Sequence, residues 1–185
     1  MRTASVKRKT KETSIEVELN LDGTGTHEIS TGIKFFDHML ATFSRHGSFD
    51  LVVHATGDLS HHVIEDTGIV LGEALKKAIG GEPEEREKTV RFGYAVIPMD
   101  ESLARCALDI GGIGGGRSYT VFEVELDKEQ VEDVNTENIP HFFYSLATHA
   151  NFTVHVYATG ENEHHKIEAI FKALGVALSK ATREK

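Results

Sequence analysis

The amino-acid sequence predicts an α+β fold that is internally duplicated. Two similar half-domains, each a mostly antiparallel sheet with helices on one face, should stack with the helices packed between the sheets. Three observations predict this. Slid by 103 residues, positions 38–78 fall on 141–181 without a gap, and 17 of 41 are identical, too many for unrelated segments. In both halves, stretches of period-two alternation lead into long stretches of helical period. A charged, Gly- and Pro-bearing segment, GGEPEEREKTV (80–90), separates the halves, giving 1–85 and 86–185 within one compact unit.

The elements follow in order. Residues 3–8 and 14–21 alternate as strands, and so do 92–97 and 103–110. The segments TKETSIEVELNLDG (10–23) and MDESLARCALDIGG (99–112) share a rhythm, although this part of the repeat matches less well. Residues 32–45 and 137–148 are amphipathic and helical. FDLVVHATG and FTVHVYATG are strands ended by Gly57 and Gly160. Residues 118–125 form a further strand. Residues 61–79 and 164–183 are long helices with apolar stripes at Ile64, Leu71, Leu75 and Ala78, and at Ile167, Phe171, Leu174, Leu178 and Ala181.

Composition excludes several functions. The 185 residues carry 20 Lys+Arg against 29 Asp+Glu, a net charge of -9, which opposes a nucleic-acid grip. Apolar runs are too short for a membrane span, and MRTASVKRKTKET has no leader-like apolar core. The single cysteine, Cys106, allows no disulfide framework, so a cytoplasmic setting is expected and Cys106 is read as a small buried residue. Asn151-Phe152-Thr153 matches a glycosylation sequon, which has no meaning in that setting.

The 11 histidines cluster, and the clustering carries the chemistry. HHVIE (61–65) and HHKIE (164–168) occupy the same repeat position. On a helix, His61 and Glu65 lie at i and i+4, so one face can grip one ion, and His164 and Glu168 repeat this. His62 and His165 are rotated by about 100° from their neighbours and should serve a different ion. The two-fold relation then gives two equivalent metal sites. One takes His61, Glu65 and His165; the other takes His164, Glu168 and His62. His141 is assigned to the first and His38 to the second. Three imidazoles and one carboxylate leave open positions on an octahedral ion, which favours manganese or iron over structural zinc. His54 and His155 are read as structural, His27 as exposed, and His46 and His149 as supports for neighbouring helices. GGIGGG (111–116) lacks the P-loop and dinucleotide spacings and is read as a turn. Asp66 breaks the repeat, facing Ala169, and is either an acceptor behind the ligands or a helix N-terminal charge.

GIKFFDHML (32–40), HHVIEDTGI (61–69), PHFF (140–143) and NEHHKIEAIFKALGVAL (162–178) closely resemble imidazoleglycerol-phosphate dehydratase of histidine biosynthesis. The resemblance runs from TKET (10–13) to the last helix. It implies a hydro-lyase that converts D-erythro-imidazoleglycerol phosphate to imidazole-acetol phosphate through a dimetal-bound imidazolate. It implies two Mn2+ per site, held by His38, His61, His62, Glu65, His141, His164, His165 and Glu168. It implies Glu12, His61 and His165 as catalytic residues. Substrate contacts are implied for Glu12, His38, His61, Glu65, Arg91, Arg117, His164, Glu168 and Lys172. It also implies a homo-oligomer of 24 copies with sites where subunits meet, and no nucleic-acid or membrane partner. Two departures stand out. The family's S-G-R-P-Y is replaced by GGIGGGRSY, with Arg117 as the match, and the chain stops at ATREK without the family's Ser-x-Lys-Gly segment. Two other classes compete: a binuclear metallohydrolase, disfavoured by the scarcity of Asp among the candidate ligands, and a non-catalytic module glued by metal.

Overall fold

Period-two burial makes the strands. In β2 (Thr13–Asn20), Ile15, Val17 and Leu19 face inward while Glu16 and Glu18 alternate with them. In β6 (Ser102–Asp109), Ser102, Ala104, Cys106 and Leu108 do the same. The computed structural model describes residues 1–80, 83–111 and 117–185. β1 (Thr3–Lys9), β2, β4 (Asp50–Gly57) and β3 (His27–Ser30) form one sheet in the order β1-β2-β4-β3. β5 (Phe92–Met99), β6, β10 (Thr153–Thr159) and β7 (Tyr119–Val124) form the second in the order β5-β6-β10-β7. Each sheet is antiparallel except at one edge, where β3 lies parallel to β4 and β7 parallel to β10.

The long helices α2 (Ser60–Ile79) and α5 (Glu163–Ala181) cover the inner faces of the two sheets. The shorter helices cross over. α1 (Lys34–Gly47) packs on α5 and α4 (Asn138–Ala150) packs on α2, so each half's first helix lies against the other half's long helix. Repeat-related glycines permit both crossings. A Cβ on Gly72 would stand 2.6 Å from the Leu146 carbonyl oxygen, and one on Gly175 would stand 2.5 Å from that of Phe43. Phe36, Phe142, Phe143 and Phe171 join α1, α4 and α5, with Phe36–Phe142 and Phe142–Phe171 ring centroids both 5.4 Å apart.

The structure departs from the sequence reading in three places. β3 was hidden because HEIS offers one apolar residue, Ile29, and is held by parallel pairing to β4. A small hairpin, β8 (Gln130–Val131) with β9 (Val134–Asn135), precedes α4. The segment read as a charged linker contains a one-turn helix, α3 (Pro83–Arg86), whose Arg86 is buried and donates to the carbonyls of Gly80, Ile110 and Ala150. Two of those acceptors, Ile110 and Ala150, are distant in sequence, and they turn an apparent surface charge into a clamp. Of the predicted GGIGGG turn, residues 112–116 lie outside the described residues. Cys106 is fully buried, which pushes its thiol up to about 12.

Candidate active site

Both HH pairs sit on first helical turns, just past the strands that end at Gly57 and Thr159. The helix crossing then delivers a third histidine to each from the opposite half. On α5, His38 Nε2 of α1 and His164 Nε2 stand 3.3 Å and 3.2 Å from the same Glu168 oxygen, Oε2. Together His38, His164 and Glu168 place one donor atom each within 4.8 Å of one another. The set is imidazole-rich with one carboxylate, which suits a divalent transition metal. On α2, His61 Nε2 lies 3.1 Å from Glu65 Oε2, and the His141 ring from α4 lies 5.3 Å from the His61 ring.

Neighbours fix the rings. His61 Nδ1 donates to Asn138 Oδ1 at 2.8 Å, and Asn138 is buried at the start of α4. That bond turns Nε2 toward Glu65. His164 Nδ1 lies 3.2 Å from Glu132 Oε1 and its ring rests against Phe35. Burial opposes ionisation of Glu168, but Lys172, at 3.1 Å, and then His38 bring its pKa below the ordinary carboxylate value.

His62 and His165 behave differently. His62 Nδ1 bonds Asp58 Oδ1 at 2.7 Å, with Glu12 3.7 Å away, and the Asp58 bond raises its pKa. His165 Nδ1 bonds Glu101 Oε2 at 2.8 Å, which likewise raises its pKa. Glu101 is held down to about 2 by His165, the Asn162 amide and Ser102. Within one chain, then, His165 stays with Glu101 rather than joining His61 and Glu65, and His62 is not among the donors grouped around Glu168.

The basic candidates divide. Lys172 is in place beside Glu168. Arg91 forms a bidentate pair with Asp109, at 2.8 Å and 2.9 Å. Asp109 lies opposite Phe92 and Thr153, whereas Thr159, which leads to His164, lies opposite Leu103. Arg91 is therefore separated from its own chain's His164–His165 pair by the length of the strand, roughly 20 Å. Arg117 is exposed and precedes β7 at that same far end, since Tyr119 pairs with Thr153. Asp66 accepts from Thr13 Oγ1 and stands 3.9 Å from Arg8, so it fastens α2 to the first sheet. His54 bonds Glu28 and His149 bonds the Ser145 carbonyl, both local contacts. Size does not mark the site: a cavity of about 730 Å³, lined by residues that include Thr3, Glu18 and His27, shares no residue with either cluster. A smaller one, about 280 Å³, borders His164, His165 and Glu132.

The family model for imidazoleglycerol-phosphate dehydratase matches residues 31–178, which hold both clusters and Lys172. The chain belongs to the imidazoleglycerol-phosphate dehydratase family. It is 53% identical to the imidazoleglycerol-phosphate dehydratase of Methanosarcina barkeri over 99% of this chain and 93% of that one. It is 50% identical to that of Methanocaldococcus jannaschii over 99% and 89%. Among solved structures, imidazoleglycerol-phosphate dehydratase from Staphylococcus aureus superposes with a TM-score of 0.86 at 37% identity, covering 99% of both chains. The Pyrococcus furiosus enzyme, solved in complex with (S)-C348, gives 0.82 at 38% identity, over 97% of this chain and 94% of that one. As a member of the imidazoleglycerol-phosphate dehydratase family, the chain is a hydro-lyase of histidine biosynthesis. Among the described residues, no helix is long and apolar enough to cross a membrane.

Sequence reasoning missed four residues that shape this site: Asp58, Glu101, Glu132 and Asn138. Asp58 had a signal, standing four residues before His62. Glu101 had one too, because the shared rhythm of 10–23 and 99–112 sets it on Glu12. Glu132 and Asn138 reach the clusters only through tertiary packing.

Proposed function

We propose that the chain converts D-erythro-imidazoleglycerol phosphate to imidazole-acetol phosphate at a site shared between copies and holding two divalent cations, manganese by preference. The observation that carries this reading is the pair of repeat-related His–Glu clusters, each completed by a histidine from the opposite half. The donors of one cluster already lie within reach of a single ion. When bound by these residues, two cations would supply the positive charge that favours loss of the ring N–H proton from the substrate.

The ligands are then His38, His164 and Glu168 for one ion and His61, Glu65 and His141 for the other. His62 and His165 complete the shells of sites in neighbouring copies, because within one chain neither is among the donors grouped around Glu168. Assembly into 24 copies, in the cytoplasm, fits that need for ligands in trans. Arg91 and Arg117, at the far end of their own sheet, would grip the phosphate of a neighbour's substrate, while Lys172 acts beside its own Glu168. His61 and His165 would touch the substrate through the positions they guard.

The dehydration breaks the C3–O bond, releasing the hydroxyl as water, and removes the C2 proton. The electron pair of C2–H becomes the C2–C3 double bond of an enol, which takes a proton at C3 and loses the proton of its C2 hydroxyl to give the ketone. Glu12 suits one of these proton transfers: its carboxylate is exposed beside His62 and accepts no hydrogen bond from the described residues. Glu12→Gln should lower turnover by about 10²- to 10⁴-fold while metal content is kept. Ketone release and bound manganese are measured on the same preparation. Near-normal turnover would remove Glu12 from the chemistry, and metal-free active protein would overturn the whole reading.

A further inference from the structure

The duplication is broken at one pair of carboxylates. β2 pairs Ser14 with Thr56, and β6 pairs Leu103 with Thr159. Thr56 and Thr159 are repeat mates, so Ser14 corresponds to Leu103 and Glu12 to Glu101. Each glutamate thus enters its strand at the same place, next to the second histidine of its own half. Their bonding is opposite. Glu101 is tied three times: Oε1 accepts from Ser102 Oγ and from the Asn162 backbone N–H, each at 2.8 Å, and Oε2 accepts from His165 Nδ1 at 2.8 Å. Glu12 only approaches His62 Nδ1, at 3.7 Å, because Asp58 holds that nitrogen at 2.7 Å. The repeat mate of Asp58 is Glu161, which makes no such bond to His165.

We propose that Glu101 is a positioning residue, which accepts a hydrogen bond from the Nδ1–H of His165 and so leaves the Nε2 lone pair free for a divalent cation, while Asp58 does the same for His62 and releases Glu12 for proton transfer. The two halves use non-equivalent carboxylates for one task, and this leaves a single untied glutamate from a duplicated pair. A metal-binding histidine is commonly fixed in this way by a carboxylate on its other nitrogen. The inference rests on the dimetal reading above.

Glu101→Gln and Glu101→Ala separate positioning from mere tethering. The Asn162 N–H can only donate, so the glutamine's single oxygen goes to it and the amide N–H2 faces His165 Nδ1. That holds the ring in the inverted tautomer, with its proton on Nε2, yet keeps the loop tether. Glu101→Ala frees the ring without inverting it. Titration of the full-length proteins with Mn2+ alone, following free ion by electron paramagnetic resonance, should place affinity at one of the two ions in the order wild type, Glu101→Ala, Glu101→Gln. The glutamine variant should be weakened by about 10- to 100-fold. Glu12→Ala should bind both ions as the wild type does. A tethering role predicts the reverse order of the two Glu101 variants, and that order, or wild-type affinity in both, overturns the proposal. Absence of Mn2+ binding by the wild type overturns instead the dimetal reading beneath it.

Discussion

Gly72→Ala tests whether the helix crossing sets the geometry of the His61 cluster. The added methyl would lie 2.6 Å from the Leu146 carbonyl oxygen and 3.0 Å from both the Ala150 nitrogen and the His149 Cβ. Two of these three atoms are backbone, so no side-chain rotation relieves the contact. An ordinary carbon–oxygen contact is about 3.4 Å, so α4 must move off α2 by about 0.8 Å. Overpacking of this kind costs about 1–3 kcal/mol, and the rigid backbone places it in the upper part of that range. Better helix propensity returns about 1 kcal/mol. The net expectation is a loss of about 1–2 kcal/mol. Urea unfolding at fixed protein concentration measures it. The same displacement should loosen His141 from His61, so Mn2+ affinity should fall alongside. A variant as stable as the wild type with unchanged affinity would refute the idea that Gly72 sets this spacing.

Two further outcomes follow from the buried polar groups. Arg86→Met should destabilise by about 2–3 kcal/mol in the same unfolding assay, because it strands carbonyls at Gly80, Ile110 and Ala150 that the guanidinium satisfies. Arg91 holds the Asp109 carboxyl below its usual range, against the opposing effect of partial burial. A depressed folded pKa gives stability that is present above the unfolded value near 3.9 and is lost as pH falls through the folded one. Asp109→Asn should therefore flatten the part of the acid limb below about pH 4 in a pH series of unfolding curves, and an unchanged limb would count against the pair.

Much of the architecture was legible because repetition and periodicity are local properties of a string. The alternation in TSIEVELN and the stripe Ile64, Leu71, Leu75 and Ala78 need no partner to be recognised, and all of those apolar residues are buried. β3 was illegible because its pairing energy comes from β4 rather than from its own four residues. The role of Arg86 was illegible for the same reason: it lies in a charged segment in sequence but against three carbonyls in space. At the site, HHxxE was visible as an i, i+4 face. The carboxylates behind it were not, since Glu101 lies 64 residues from His165 and its bond depends on how β6 meets α5.

The crossing of the helices explains why the halves carry the same chemistry yet act as one body. His38 belongs to the first half but stands at Glu168 of the second, and His141 belongs to the second but stands beside His61 of the first. Exchange follows from α1 packing on α5 and α4 on α2. If sequence neighbourhood governed the ligands, His38→Ala would damage the cluster on α2, its own half's long helix. The structure requires the opposite. In crystals of His38→Ala grown with Mn2+, anomalous density should vanish or weaken beside Glu168 and persist beside Glu65, because only the Glu168 group loses one of its three convergent donors. His141→Ala should give the mirror result. Loss of density beside Glu65 in His38→Ala, with density beside Glu168 intact, would mean that the crossing does not assign the third ligand.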